Sequence, residues 1–529
     1  MQAGESTRSD VGEEAESPFR QILASIHQES HDPRPATVTG EIPKWLKGSF
    51  LRNGPGLFEA GEQEVGSLFD GFALLHRFII KDGQVSYQSR YLESDAYQLS
   101  MAEKRIAVAA FGTAVHRDPC KSYFRHLFSY FKAPLNDSTD NCNVNWLHLG
   151  QDNFYALTES NLICKVDPRT LKTTNKIKIT DHVAVNSATA HPHYGDDGCV
   201  YNMGTTFGRH VTYSIIKTPL AKQGDTEEPM KGSTVVCGIP ASSSLYPSYF
   251  HSFGMTQNYI VFLEQPLVLN VLKFVTAKLR EVAPSTSLEF NRKQKSRFYL
   301  VHLRTGEVVS TEYLADSFFC FHFINAYEED GHVVVDLCRH ADASIMDSAG
   351  LEAARRMAAS HEEDLRAVRF VLPLDLKKDT EDLVTLVGSR ATAKLIEPGK
   401  VVCTHEDLSD QRIELPRINY EKYNGRPYRY IYGMPNNLQE IVKLDTKTRT
   451  HLTWGSLSGS HYPSEAVFVP NPDGVEEDDG VVLSLVLDSE PTKNPFLLVL
   501  DARTFQELAR AEVEDLPFGI HGVFVNELI

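Results

Sequence analysis

One phrase recurs along the chain: a short run of alternating apolar residues, a polar turn built on Asp or Gly, and the start of a second such run. It stands at 78–87 (FIIKDGQVSY), 162–171 (LICKVDPRTL), 299–306 (YLVHLRTG), 441–448 (IVKLDTKT) and 496–504 (FLLVLDART). Alternation with period two puts one face of a strand on a core, and the turn residues let the chain double back, so each phrase predicts a β-hairpin. The turn positions Asp167, Arg304, Asp445 and Asp501 follow one another at intervals of 137, 141 and 56. A unit of roughly 60 to 70 residues accounts for these as two units, two units and one, the mark of a radial β-repeat with insertions. About seven such units fill the chain, which predicts an all-β, seven-bladed propeller. A two-sheet sandwich with chance hairpins predicts no such spacing.

Composition narrows the partners. A formal net charge of −17 over 529 residues argues against nucleic acid, and 42% hydrophobic residues suffice for a large core. The eight cysteines never stand closer than 18 positions, so no CxxC metal or redox motif exists, and they read as the free thiols of a reducing compartment. No apolar run reaches the ~18 residues of a membrane span, and the first residues lack the basic-then-apolar pattern of a signal peptide. A cytoplasmic protein is expected, with membrane contact only at a surface. Residues 1–17 are acidic and poor in large apolar groups, hence predicted disordered. Residues 18–529 are expected to form one domain.

Three segments break the strand pattern. Residues 348–368 (SAGLEAARRMAASHEEDLRAV) are rich in Ala and Glu and predict a helical insertion. At about 120–132, Tyr123, Phe124, Leu127, Phe128 and Phe131 share one arc of a helical wheel opposite Arg125, His126 and Lys132. At about 266–280, Leu267, Val268, Val271, Leu272 and Val275 form a stripe before Lys278 and Arg280. Each amphipathic segment suits either a lid over the core or an interfacial helix dipping into a membrane.

Four histidines stand in apolar or small-residue contexts unsuited to a solvent-facing ring: His191 (ATAHPH), His251 (SYFHSFG), His322 (FCFHFIN) and His521 (FGIHG). Their intervals of 60, 71 and 199 again approximate one, one and three repeat units. Innermost strands of a propeller face its axis, so repeat-spaced histidines would converge there. Four imidazoles suit a divalent transition metal, and octahedral iron would keep two positions open, whereas zinc more often closes at four ligands. A metal-bound imidazole commonly donates its other N–H to a carboxylate. Glu159, Glu414 and Glu465 are acids in apolar or turn-rich strand contexts, each either solvated at a strand edge or buried with a partner. Beside four histidines that need orienting, the paired reading is the better one. No hydroxyl or thiol sits in a recognisable nucleophile elbow.

Several stretches together resemble the metazoan carotenoid cleavage oxygenases, the family of β-carotene oxygenases, carotenoid isomerooxygenases and the retinoid isomerohydrolase. They are RNGPG at 52–56, LFDG at 68–71 with His76, DPCK at 118–121, ATAHPH at 188–193, HSFG at 251–254, Phe321-His322 with NAYE at 325–328, YPSE at 462–465, EDDG at 477–480 and His521-Gly522. The resemblance covers nearly all the chain beyond the acidic tail. It implies a helical dome over the metal face, Fe(2+) held by His191, His251, His322 and His521, and Glu159, Glu414 and Glu465 orienting three of the four rings. Thr158 is expected to face a vacant coordination position. The implied substrate is a lipophilic carotenoid drawn from a membrane through an apolar tunnel, with 120–132 and 266–280 as its rim and peripheral membrane contacts. Cys120 lies where some relatives carry a reversible acyl anchor. The implied reaction is non-haem iron(II) dioxygenase cleavage of a polyene double bond of β-carotene or a related carotenoid with O2, giving retinal or other apocarotenals. Retinyl-ester isomerohydrolysis on the same scaffold, and a non-catalytic carotenoid-binding propeller, stay open.

Overall fold

Seven sheets of four to six strands dominate the computed structural model, which describes residues 17–115, 139–356, 364–376, 381–435, 438–456 and 459–529. They are the blades of a seven-bladed β-propeller. Their innermost strands are, in order, His521–Asn526 (blade 1), Asn145–His148 (blade 2), Ser187–Ala188 with His193–Tyr194 (blade 3), Gly254–Met255 (blade 4), Phe319–Glu329 (blade 5), Glu414–Arg417 (blade 6) and His461–Pro463 with Val467–Pro470 (blade 7). These inner strands touch around the ring, blade 7 to blade 1, 1 to 2, 4 to 5 and 5 to 6.

Closure uses both ends of the chain. The C-terminal strand His521–Asn526 pairs antiparallel with Gly48–Leu57 of blade 1, setting Arg52 opposite Gly522 and Asn53 opposite His521. The early strand Thr37–Gly40 pairs with Glu507–Glu512 of blade 7. Each terminal blade is thus completed by a strand from the far end of the sequence, so the ring holds no open seam between first and last blade.

The core lies between blades. Phe50 and Phe78 of blade 1 pack with Leu483 and Val499 of blade 7, and Val261 and Leu300 of blade 4 with Val333 and Phe370 of blade 5. A strand covered on both faces loses its alternation. Gly48–Leu57 is buried at all ten positions, Arg52 included.

Two predicted helices differ from the structure. In 266–280, Leu267–Leu269 is a strand paired with Leu288–Phe290, and helix begins only at Val271–Ala277, where the Asn270 side chain accepts from Lys273 N. The stripe therefore divides: Leu267 and Val268 are buried, while Leu272 is 71% exposed. In 348–368 the helices are Ile345–Ser348 and Leu351–Arg356, and the last residues belong to the strand Leu365–Pro373. That strand is captured by pairing with His332–His340, a tertiary gain that outweighs the local helix preference of LRAV. Of the predicted tail at 1–17, residues 1–16 lie outside the described residues, as do the predicted helix 120–132 and Cys120, while Ser17 caps the helix Pro18–Ile22.

Candidate metal centre

Each of the seven blades sends one chemistry-bearing side chain to the same end of the axis. Histidines come from blades 1, 3, 4 and 5, and carboxylates from blades 2, 6 and 7. His521 opens the inner strand of blade 1. His191 sits between the two short inner strands of blade 3, next to Pro192, which cannot donate to a ladder. His251 lies three residues before the inner strand of blade 4. His322 lies where Phe319–Glu329 shifts register against its neighbour between Cys320 and Phe323, an irregularity of the kind that re-aims side chains.

The four rings offer ligand nitrogens all within 4.8 Å of one another. Nε2 of His191 is 2.9 Å from Nε2 of His251, which is 3.2 Å from Nε2 of His322. His322 Nδ1 meets Glu414 at 2.5 Å, His521 Nδ1 meets Glu465 at 2.7 Å, and His251 Nδ1 is hydrogen-bonded to Glu159. His191 has no carboxylate partner among the described residues. A carboxylate accepts, so each of the three rings donates through Nδ1–H and leaves its Nε2 lone pair bare. His251 and His322, as neutral rings, thus present lone pairs to each other with no proton between them. Lone pairs converging in a buried site repel unless a cation shares them, and neutral imidazoles suit a divalent transition metal.

Burial first, then the neighbouring imidazoles, holds the His191 ring well below its usual pKa. Burial likewise lowers His521 to about 4, against the pull of Glu465. Burial alone would raise Glu465, but Arg417, His521 and Arg52 outweigh it, and its carboxyl sits well below the usual range. Glu414 is lowered in the same way, by His322 and His340 against its own desolvation.

Four supporting residues escaped the sequence reading. Arg52 is fully buried and donates from Nη1 to Glu465 at 2.9 Å. Arg417 donates to the same carboxylate from Nε at 2.8 Å and Nη2 at 3.2 Å. His340 Nε2 meets Glu414 at 3.0 Å, and the Tyr249 hydroxyl donates to Glu159 at 2.9 Å. Only Arg52 left a signal, a guanidinium inside an apolar strand that demands a buried acid. Gly522 is needed beside it, because a Cβ there would stand 2.3 Å from Arg52 Cδ.

Above the histidines opens a cavity of about 930 Å³, lined by His251, His322, His521, Thr158, Glu159 and Glu414 on the propeller side. Its volume is at the upper end of small-molecule sites. Thr158 thus borders the same space as three of the rings. The opposite wall comes from residues 274–284, 345–349 and 109–111, largely apolar, so the cover consists of short helices and loops.

The family model described as retinal pigment epithelial membrane protein matches residues 23–526. The chain belongs to that family. It is 43% identical over 528 residues to beta,beta-carotene 15,15'-dioxygenase of Mus musculus, covering 96% of this chain and 91% of that protein. It is 43% identical over 527 residues to the Gallus gallus protein of the same name, covering 96% and 98%. It is 39% identical over 546 residues to the mitochondrial carotenoid-cleaving dioxygenase of Mustela putorius furo, covering 99% and 100%. Among solved structures, cobalt-substituted Synechocystis apocarotenoid oxygenase superposes with a TM-score of 0.76 at 22% identity, over 96% of this chain and 98% of that one. The overall fold is therefore shared with that solved structure.

Proposed function

We propose that the chain is a non-haem iron(II) dioxygenase that splits one polyene double bond of β-carotene or a related carotenoid with O2, yielding retinal or other apocarotenals. The observation that carries this reading is the meeting of His191, His251, His322 and His521 beneath a large, mainly apolar cavity. Relatives about 40% identical over nearly the whole chain and named as carotenoid dioxygenases support it.

In this reading Fe(2+) is held by the four imidazoles and, when bound, supplies activation of O2 so that both oxygen atoms end in two carbonyl products. The chain does the rest. Glu159, Glu414 and Glu465 fix three rings with Nε2 toward the metal and keep them from rotating. Arg52 and Arg417 hold Glu465 ionised, so its acceptor role toward His521 persists. The apolar wall strips water from the polyene and fixes which double bond lies over the histidines. Thr158, on the cavity rim, limits what approaches from that side.

A lipophilic substrate also needs a route from a membrane. Leu272 (71% exposed), Leu245 (66%) and Tyr246 (46%) lie on one surface, joined by the hydrogen bond from Val271 N to Leu245 O, with Lys273 and Lys278 alongside. Exposed apolar side chains suit peripheral contact with a lipid surface beside the cavity wall that the same helix forms, although Lys273 there is paired with Glu289 at 2.8 Å. No helix among the described residues is long and apolar enough to cross a membrane.

The test is to incubate purified protein with β-carotene under air and under argon, with iron analysis of the wild type and of His251→Ala. Aldehydes only under air, about one iron per chain and loss of iron in the variant are expected. Ester isomerohydrolysis that proceeds under argon, or metal-free protein carrying intact pigment, would overturn the proposal.

A further inference from the structure

Beside the main cavity lies a second, smaller chamber of about 220 Å³, and the two share Phe111, Glu159, Tyr249, Phe274 and Pro284 as a partition. Glu159 and Tyr249 are fixed in that partition by their mutual hydrogen bond and by His251. The rings of Phe111 and Phe274 are the apolar part of that wall. Because Glu159 holds His251, the chamber stands one side chain away from the four-histidine centre.

Its floor differs from the main cavity. Ser187 and Thr205 are direct partners on the antiparallel pair Ser187–Ala188 and Cys199–Thr206, so their side chains stand side by side on one face. Both line the chamber, Thr205 only 8% exposed, and neither hydroxyl has a hydrogen-bond partner among the described residues. Asn186 also lines it and spends its side-chain oxygen on Phe207 N, while its amide N–H groups have no partner among the described residues. Adjacent unpaired hydroxyls under an aromatic roof complement an apolar group bearing one alcohol, which can donate to one and accept from the other. A hydrocarbon end would leave both hydroxyls covered and unpaired, the situation in which a site discriminates most strongly.

We infer that this chamber is a subsite for a hydroxylated terminal ring of the polyene, with Ser187 and Thr205 as its specificity-determining hydrogen-bond partners. The inference rests on the carotenoid reading above and narrows it to substrates with an alcohol on the ring. A long linear ligand crossing the histidines would place that end beyond Phe111 and Phe274.

The test uses two probes, β-carotene and its 3,3'-dihydroxy derivative, with Kd read by quenching of tryptophan fluorescence and kcat/KM by product formation under air. The wild type is expected to favour the dihydroxy probe. The double substitution S187A/T205V should shrink the ratio of the two Kd values by about ten- to hundredfold. The pair S187T/T205S, which keeps both hydroxyls, should preserve it and so controls for folding. An equal ratio in the wild type and S187A/T205V, wild-type preference for the hydrocarbon, or binding of neither probe would overturn the subsite. Binding with the expected ratio but without cleavage would instead sink the dioxygenase reading and leave the subsite standing.

Discussion

Glu465→Gln and Glu159→Gln are the same change at two carboxylates that each orient one histidine, yet their consequences for stability should differ severalfold. Glu465 is 1% exposed and receives five donors: His521 Nδ1, Arg52 Nη1, Arg417 Nε and Nη2, and Gly522 N. Glutamine keeps the volume but removes the charge and turns an amide N–H2 toward groups that are all donors. It leaves the fully buried Arg52 guanidinium without its counter-ion, a loss of about 3–5 kcal/mol. Arg417, with 28% of its side chain exposed, adds less because water screens it. Glu159 has 26% of its side chain exposed and, among the described residues, receives only His251 Nδ1 and the Tyr249 hydroxyl, with no Lys or Arg paired to it. Its glutamine variant should cost about 1–2 kcal/mol, one hydrogen bond to a group that an amide oxygen partly replaces. Both variants should weaken divalent metal binding by about 10- to 100-fold, since each leaves a histidine tautomer unfixed. Urea midpoints on metal-free protein, where metal linkage cannot contribute, measure the first quantity, and competition titration with Co(II) the second. Equal stability losses would refute the account of the Arg52–Glu465–Arg417 cluster, even if both variants lose metal.

Two other perturbations test parts of the same framework. Gly522→Ala places a methyl 2.3 Å from Arg52 Cδ and 2.7 Å from Leu51 O, and should cost about 1–3 kcal/mol by overpacking, measured by urea midpoint. A variant as stable as the parent would show that Arg52 can relax. Burial raises Asp70, which borders the cavity, to about 6 from 3.8, against hydrogen bonds from Thr113 and Gly112. The folded state then holds more protons than the unfolded one between those values, so this group's stabilisation is complete below about pH 4 and is lost as pH rises through about 6. The loss totals about 3 kcal/mol. Asp70→Asn should flatten that slope relative to wild type in denaturant midpoints taken from pH 4 to 7, and parallel curves would refute it.

Much of the site was legible because it depends on local patterns. Alternation and turn residues are properties of consecutive side chains, so the hairpins and their repeat could be read directly. Histidines in apolar runs stand out one at a time, and intervals close to whole repeat units on a radial repeat bring them to one axis. The same holds for Glu159, Glu414 and Glu465, acids placed where an inner strand or its turn had no other use for charge. The helix expected over 266–280 failed for the opposite reason. Leu267–Leu269 has a partner strand at Leu288–Phe290 that no window of the sequence displays. LRAV at 365–368 went the same way, drawn into a strand by His332–His340.

The sequence by itself determined the architecture and which four histidines converge, because strand period and turn chemistry are written in neighbouring residues and the histidine intervals follow the repeat they build. Only the tertiary structure decided which groups stabilise that set: Arg52 meets Glu465 across 413 positions, and Ser187 meets Thr205 only once blade 3 has folded back on itself. A buried charge or an unpaired hydroxyl has its energy set by what surrounds it in space, and those surroundings exist only after the ring has closed.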